Sequence, residues 1–179
     1  LRNNTSIYGS NGLLRLMNNY SNKFSYKPDT LKQYGKFFHP DNIHQYSHKL
    51  KSIYNSIINS EGIILIYSQY IEGGLIPIAL MLEEMGYAKY NNNSLLKQTS
   101  KTTIKTNKYI IISGNQKYSP DNENEINVAT NNDNLDGDVI KVILISKAGS
   151  EGIDFKNIRQ IHILEPWYNL NRIEQIIGR

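Results

Sequence analysis

Two kinds of apolar pattern alternate along this chain. Short continuous runs stand at Ile63-Ile64-Leu65-Ile66-Tyr67 and Tyr109-Ile110-Ile111-Ile112, then at Val139–Ile145 and Gln160–Leu164. Such runs fit strands buried on both faces, as in a parallel sheet, better than half-wet strands that alternate. Elsewhere apolar residues recur at helical spacing. Tyr46, Leu50, Ile53, Tyr54, Ile57 and Ile58 predict a helix over Asn42–Asn59, begun by Pro40-Asp41 and left at Gly62. After a turn at Gly73-Gly74, Leu75, Ile78, Ala79, Leu82 and Met85 form one stripe, with Pro77 in the first turn and Gly86 at the end. Leu170, Ile173, Ile176 and Ile177 predict the apolar side of a last helix, Leu170–Ile177. Strands alternating with helices predict an α/β fold with a mostly parallel sheet.

Polar stretches interrupt this plan. Residues 1–41 are rich in Asn, Ser, Tyr and Lys, and read as a linker or peripheral arm with one short helix near Gly12–Tyr20. Residues 90–108 and 114–137 read as polar surface insertions, the second with part of a helix around Asn122–Val128. The domain proper is then 42–179. The start at Leu1 and the abrupt end at Arg179 read as a piece of a longer polypeptide.

Composition narrows the chemistry. The chain has 179 residues, which suits one domain with a real core. It has no cysteine, which excludes disulfides and thiolate metal sites. Its histidines, His39, His44, His48 and His162, lack a zinc-site pattern, and no nearby acidic ligand completes the His44/His48 pair. No apolar run approaches the roughly 18 residues a membrane span needs. A net charge of +4 is compatible with a nucleic-acid partner but is weak evidence alone, and the lysine clusters read first as solvated surface.

The chemistry-bearing residues cluster at strand ends. The first strand runs into Ser68-Gln69, the second into Ser113-Gly114, and the fourth into Glu165-Pro166-Trp167. The third runs into Ser146-Lys147-Ala148-Gly149-Ser150-Glu151-Gly152-Ile153-Asp154. Ligands of open parallel sheets bind at the carboxyl ends of the strands, so four such groups on one edge predict a binding face. In the third loop the glycines permit close backbone approach, Ser146 and Ser150 can donate to phosphate, and Asp154 can accept from a ribose hydroxyl. The same loop also fits an ordinary strand-to-helix turn with Asp154 as a cap. Trp167 and Tyr168 suit base stacking or plain packing. The terminal Gln175-Ile176-Ile177-Gly178-Arg179 presents a guanidinium suited to phosphate. Yet there is no G-x-x-x-x-G-K-[ST] loop and no acidic pair after a strand. A phosphate served by Arg179 must be cradled by another segment.

Taken in order, these segments resemble superfamily 2 helicases. SKAGSEGIDF (146–155) resembles their motif V, QIIGR (175–179) the first part of motif VI, and GIILIYSQY (62–70) motif IV. EPWYN (165–169) is similar to the D-P-x-W-N segment of Swi/Snf-like members. The ending looks most like helicases of large DNA viruses, including poxvirus-type nucleoside triphosphatases. The resemblance implies a three-layer RecA-like domain, the C-terminal lobe of a two-lobe ATP-driven motor. It implies that Ser68, Gln69, Ser113, Gly114 and Ser146 face a DNA or RNA backbone. Gly152 and Asp154 would lie near the ATP ribose, Gln175 would bridge the lobes, and Arg179 would reach the γ-phosphate. ATP and Mg²⁺ would be held mainly by an N-terminal RecA-like lobe, inside a cell or at a viral replication site or virion. The second arginine of motif VI would fall just past Arg179. A non-catalytic module that docks nucleic acid or protein is the alternative.

Overall fold

The computed structural model describes residues 7–97, 107–147, 153–166, 174, 177 and 178. Its centre is a five-stranded, wholly parallel sheet. The strands are β3 (Ile63–Tyr67), β4 (Ala88–Lys89), β5 (Lys108–Ile112), β6 (Val142–Ile145) and β7 (Ile158–Ile163), in spatial order β4-β5-β6-β3-β7. Every residue of β3 and β6 is buried, which is why both read as unbroken apolar runs. The edge strand β7 is only half-buried among the described residues. The two-residue β4 had no apolar run to reveal it and was not anticipated.

Alternate strand residues feed two cores. Ile64, Ile66, Tyr109, Ile111, Val142 and Leu144 pack on one face. Leu65, Tyr67, Ile110, Ile112, Ile143 and Ile145 pack on the other. The first face is covered by α4 (His48–Ile58) and α5 (Ile76–Glu84), the second by α6 (Asn122–Thr130). Each Ile or Leu sealed in this way contributes about 1.5–3 kcal/mol. The layering is that of an α/β RecA-like domain.

The predicted helix over Asn42–Asn59 is in fact two. A single turn, α3 (Ile43–Tyr46), precedes α4, and Ser47 breaks them apart. The Ser47 hydroxyl accepts from Leu50 N–H at 3.2 Å, so Ser47 and not Pro40-Asp41 caps the main helix. His44 and His48 therefore sit on different helices. The predicted Gly73-Gly74 turn is a π-helical turn, Ile71–Leu75, that leads straight into α5.

The segment before Asn42 is built into the body. Helix α1 spans Gly9–Leu16, β1 (Met17–Tyr20) and β2 (Lys23–Tyr26) form an antiparallel hairpin, and α2 spans Pro28–Tyr34. The helix predicted near Gly12–Tyr20 thus starts earlier and gives way to a strand at Met17. Met17 and Phe24 are fully buried in the same core as α5. This cover explains why Leu80 and Met81, off the predicted stripe, are also buried: α5 is apolar from Ile76 to Leu82 because nearly every side of it is enclosed. The polar insertions are likewise packed where they are described. Leu95 and Tyr118 are buried. The Asn134 side-chain oxygen accepts from Val139 and Ile140 N–H at 3.0 and 2.7 Å, fixing the entry to β6.

Candidate nucleic-acid and nucleotide face

The sheet register sets the site. Tyr67, Ile112, Ile145 and Ile163 are aligned across four adjacent strands. The ladder continues for one more residue: Ser68 N–H donates to Ile145 O (3.1 Å), Ser146 N–H to Ile112 O (3.0 Å) and Leu164 N–H to Tyr67 O (2.9 Å). Ser68, Ser113 and Ser146 therefore form one row at the carboxyl edge, with Leu164 beside them. The connections leaving β3 and β6 run to opposite edges of the sheet, toward β4 and β7. Ligand sites of open parallel sheets form where connections diverge in this way.

The row is at the predicted edge, but its hydroxyls point inward. Ser68 and Ser113 are 0% exposed and Ser146 is 3% exposed. Strand alternation turns all three toward the α5 side, away from Tyr67, Ile112 and Ile145. Ser68 Oγ donates to Glu165 Oε2 at 2.8 Å and accepts from Tyr70 N–H at 3.1 Å. Ser113 repeats the local turn, accepting from Asn115 N–H at 3.3 Å, and lies 3.1 Å from Ser119 Oγ. Such side-chain-to-backbone bonds fold the chain sharply after a strand. Side chains of Ser68 and Ser113 thus shape their loops and do not themselves face solvent. The groups on the outside are Gln69, half-buried, and Gly114, exposed.

Glu165 draws the edge together. Its Oε2 accepts from Ser68 Oγ and from Gln69 N–H, the latter at 3.2 Å. The carbonyl of Leu164 accepts from Lys49 Nζ at 2.9 Å, tying the same strand end to α4. The sequence places Glu165 at a strand end and in the EPWYN segment, without naming its partner. The available signal was a carboxylate directly after one apolar strand, matched by Ser-Gln after another, but it names a pair only once β3 and β7 are known to be neighbours.

Asp154 is exposed between Ile153 and Phe155, which pack against the second core. Two apolar anchors thus hold an acidic side chain outward. Gly152, Gln175 and Arg179 lie outside the described residues, as do Ser150, Glu151, Trp167 and Tyr168. Of the predicted last helix, only Glu174 and Ile177 are described as helical. His162 lies within β7, where burial lowers its pKa and its Nε2 has no hydrogen-bond partner among the described residues. Among the described residues, no group of three His, Asp or Glu could hold a metal ion, and no helix is long and apolar enough to cross a membrane.

Comparison with known proteins agrees with this geometry. Residues 48–179 match the helicase conserved C-terminal domain. A protein of Acanthamoeba polyphaga mimivirus, named as an ATP-dependent RNA helicase, is 35% identical over 139 residues, covering 76% of this chain and 22% of its own length. A termination factor NPH-I homolog of African swine fever virus is 32% identical over 160 residues, covering 74% and 22%. A killer-plasmid helicase of Kluyveromyces lactis is 32% identical over 134 residues, covering 74% and 20%. The chain spans about a fifth of the length of these relatives. With the matched span covering its parallel sheet, its polar edge and its terminal Gln-Ile-Ile-Gly-Arg, the chain belongs to the helicase conserved C-terminal domain family.

Proposed function

We propose that this chain is the C-terminal motor lobe of an ATP-dependent helicase or nucleic-acid translocase. The observation that carries the reading is the carboxyl edge of the sheet. Three neighbouring strands end in one row of serines, with the loops after β3 and β5 folded over them and the 146–154 loop following β6. Membership of the helicase family supports the assignment of that edge to nucleic acid and nucleotide.

In this reading the Gln69 side chain and Gly114, presented by the loops that Ser68 and Ser113 shape, contact phosphates of a DNA or RNA strand, with Ser146 at the root of the next loop. Such contacts are electrostatic and largely blind to sequence. Asp154, held outward, and Gly152 lie toward the ribose of ATP. Gln175 bridges to an N-terminal RecA-like lobe, and Arg179 neutralises charge on the γ-phosphate as hydrolysis proceeds. Mg²⁺, when bound, supplies charge neutralisation on the phosphates from ligands on the first lobe. Cleft closure over ATP then shifts one lobe against the other, and reopening after hydrolysis releases it. With each lobe gripping the backbone, that cycle becomes stepping along a strand.

The test is ATP hydrolysis by the full-length protein, with and without single-stranded DNA or RNA. Hydrolysis that rises severalfold with either polymer is the expected result. Absence of hydrolysis under both conditions would leave the lobe a docking module and overturn the motor reading.

A further inference from the structure

Glu165 stands where β7 ends, yet its bonds go to the loop after β3. Its Oε2 accepts from Ser68 Oγ at 2.8 Å and from Gln69 N–H at 3.2 Å. Room for this contact comes from Gly74, in the π-helical turn. A Cβ there would lie 2.0 Å from Ser68 Oγ and 3.5 Å from Glu165 Oε1. On the other side, Lys49 Nζ holds the Leu164 carbonyl at 2.9 Å. Three elements therefore converge on one carboxylate: a strand end anchored by a lysine, a loop held by two donors, and a turn stripped of its side chain.

A carboxylate is a costly group to place beside a phosphate-binding edge, since it repels the ligand. A buried Ser68 hydroxyl and one amide would be satisfied by any neutral acceptor. What the charge adds is stiffness, because hydrogen bonds to an ionised acceptor are roughly twice as strong as neutral ones. The group so stiffened is the Gln69 backbone, the part of this loop that leads to solvent.

We propose that Glu165 is a positioning residue for nucleic-acid contact: it latches the Ser68–Tyr70 loop in its binding conformation and ties it to the carboxyl end of β7. The proposal rests on the motor-lobe reading above. The latch acts on affinity for the strand. With the loop unlatched, each binding event must first order Gln69, and the competent fraction of the loop falls.

The experiment is a titration of the full-length protein with oligo-dT and with oligo-U at saturating ATP, following hydrolysis. Loss of a hydrogen bond to a charged group predicts that Glu165→Ala raises the half-saturating polymer concentration by about tenfold. The maximal rate at saturating polymer should stay within about twofold of wild type. Glu165→Gln keeps an oxygen acceptor of the same shape but loses the charge, so it is expected to fall between the two, about threefold above wild type. A merely structural role would move rate and half-saturation together, and Gln would not rescue selectively. If Glu165→Ala does not fold, Glu165→Asp withdraws the carboxylate by one methylene and is expected to raise half-saturation by about threefold or more. Half-saturation unmoved in the folded variants, or a fall confined to maximal rate, overturns the proposal. A wild-type protein that neither polymer stimulates removes the motor reading together with the proposal. A stimulated wild type with unmoved variants removes the proposal alone.

Discussion

The Ser68 hydroxyl donates to the Glu165 carboxylate at 2.8 Å, joining residues 97 positions apart in the chain. The bond closes the carboxyl edge between β3 and β7, strands that are neighbours only because the β6-to-β7 connection crosses β3. Ser68→Ala deletes a buried donor and leaves the carboxylate with one partner fewer. The expected loss is about 1–3 kcal/mol of stability, measured as a shifted urea midpoint at unchanged slope. No shift would mean that the pair is not formed in solution.

Gly74→Ala tests the same junction from the opposite side. Its added methyl would meet Ser68 Oγ at 2.0 Å and Ser68 Cβ at 2.8 Å, inside a packed turn. Overpacking of this kind costs about 1–3 kcal/mol. Gly73→Ala is the control, because the nearest atom to its added methyl lies 3.5 Å away. That change should stay within about 0.5 kcal/mol of wild type. Thermal melting of the two variants side by side reads the difference, and equal melting points would contradict the geometry.

A second carboxylate holds the other end of the sheet. Glu83, on α5, accepts from Leu95 N–H, Leu96 N–H and the Tyr109 hydroxyl, each at 2.6 Å. The residue is buried, so its removal strands two backbone amides and a phenol. Glu83→Ala should cost about 3–5 kcal/mol, more than Tyr109→Phe at about 1–2 kcal/mol. Burial and Glu83 together push the Tyr109 phenol well above its usual pKa, so its ionisation should be absent from the ordinary tyrosine range in an ultraviolet pH titration. A full complement of tyrosines ionising near pH 10 would count against the contact.

Glu125 makes the stability of the fold depend on pH. Burial raises its carboxyl to about 7 from an ordinary 4.5; Lys89 opposes this and Asp121 adds to it. The folded state therefore binds this proton more tightly than the unfolded chain does. The contribution is full below about pH 4.5 and is lost as pH rises through about 7. Glu125→Gln should flatten that part of the stability–pH curve and raise the melting temperature at pH 8 by a few degrees. An unchanged slope between pH 5 and about 8 would refute the assignment.

The sheet was legible in the sequence because its strands are enclosed on both faces. Nothing polar interrupts Ile63–Tyr67 or Tyr109–Ile112, and enclosure leaves no other reading. The order of strands was not legible, and with it the Ser68–Glu165 pair, because pairing between distant segments has no local signature. The hairpin of Met17–Tyr26 was hidden by its polar residues: only Met17 and Phe24 are deeply buried, too few to show a period. The α3/α4 break was written in Ser47, a good cap lying inside an otherwise convincing stripe. The strand-end serines were correctly placed on the edge, while the direction of their hydroxyls followed from which residue ends each strand, a matter of one position in register.

The role proposed for this lobe is to serve the hydrolysis of a nucleotide held chiefly elsewhere in the protein. Its most direct test is Arg179→Ala in the full-length protein, assayed for ATP hydrolysis at saturating single-stranded nucleic acid. The expected result is a fall of roughly 10³–10⁵ in the stimulated rate, the range associated with an arginine supplied to a transferring phosphate. Hydrolysis at the wild-type rate would contradict it.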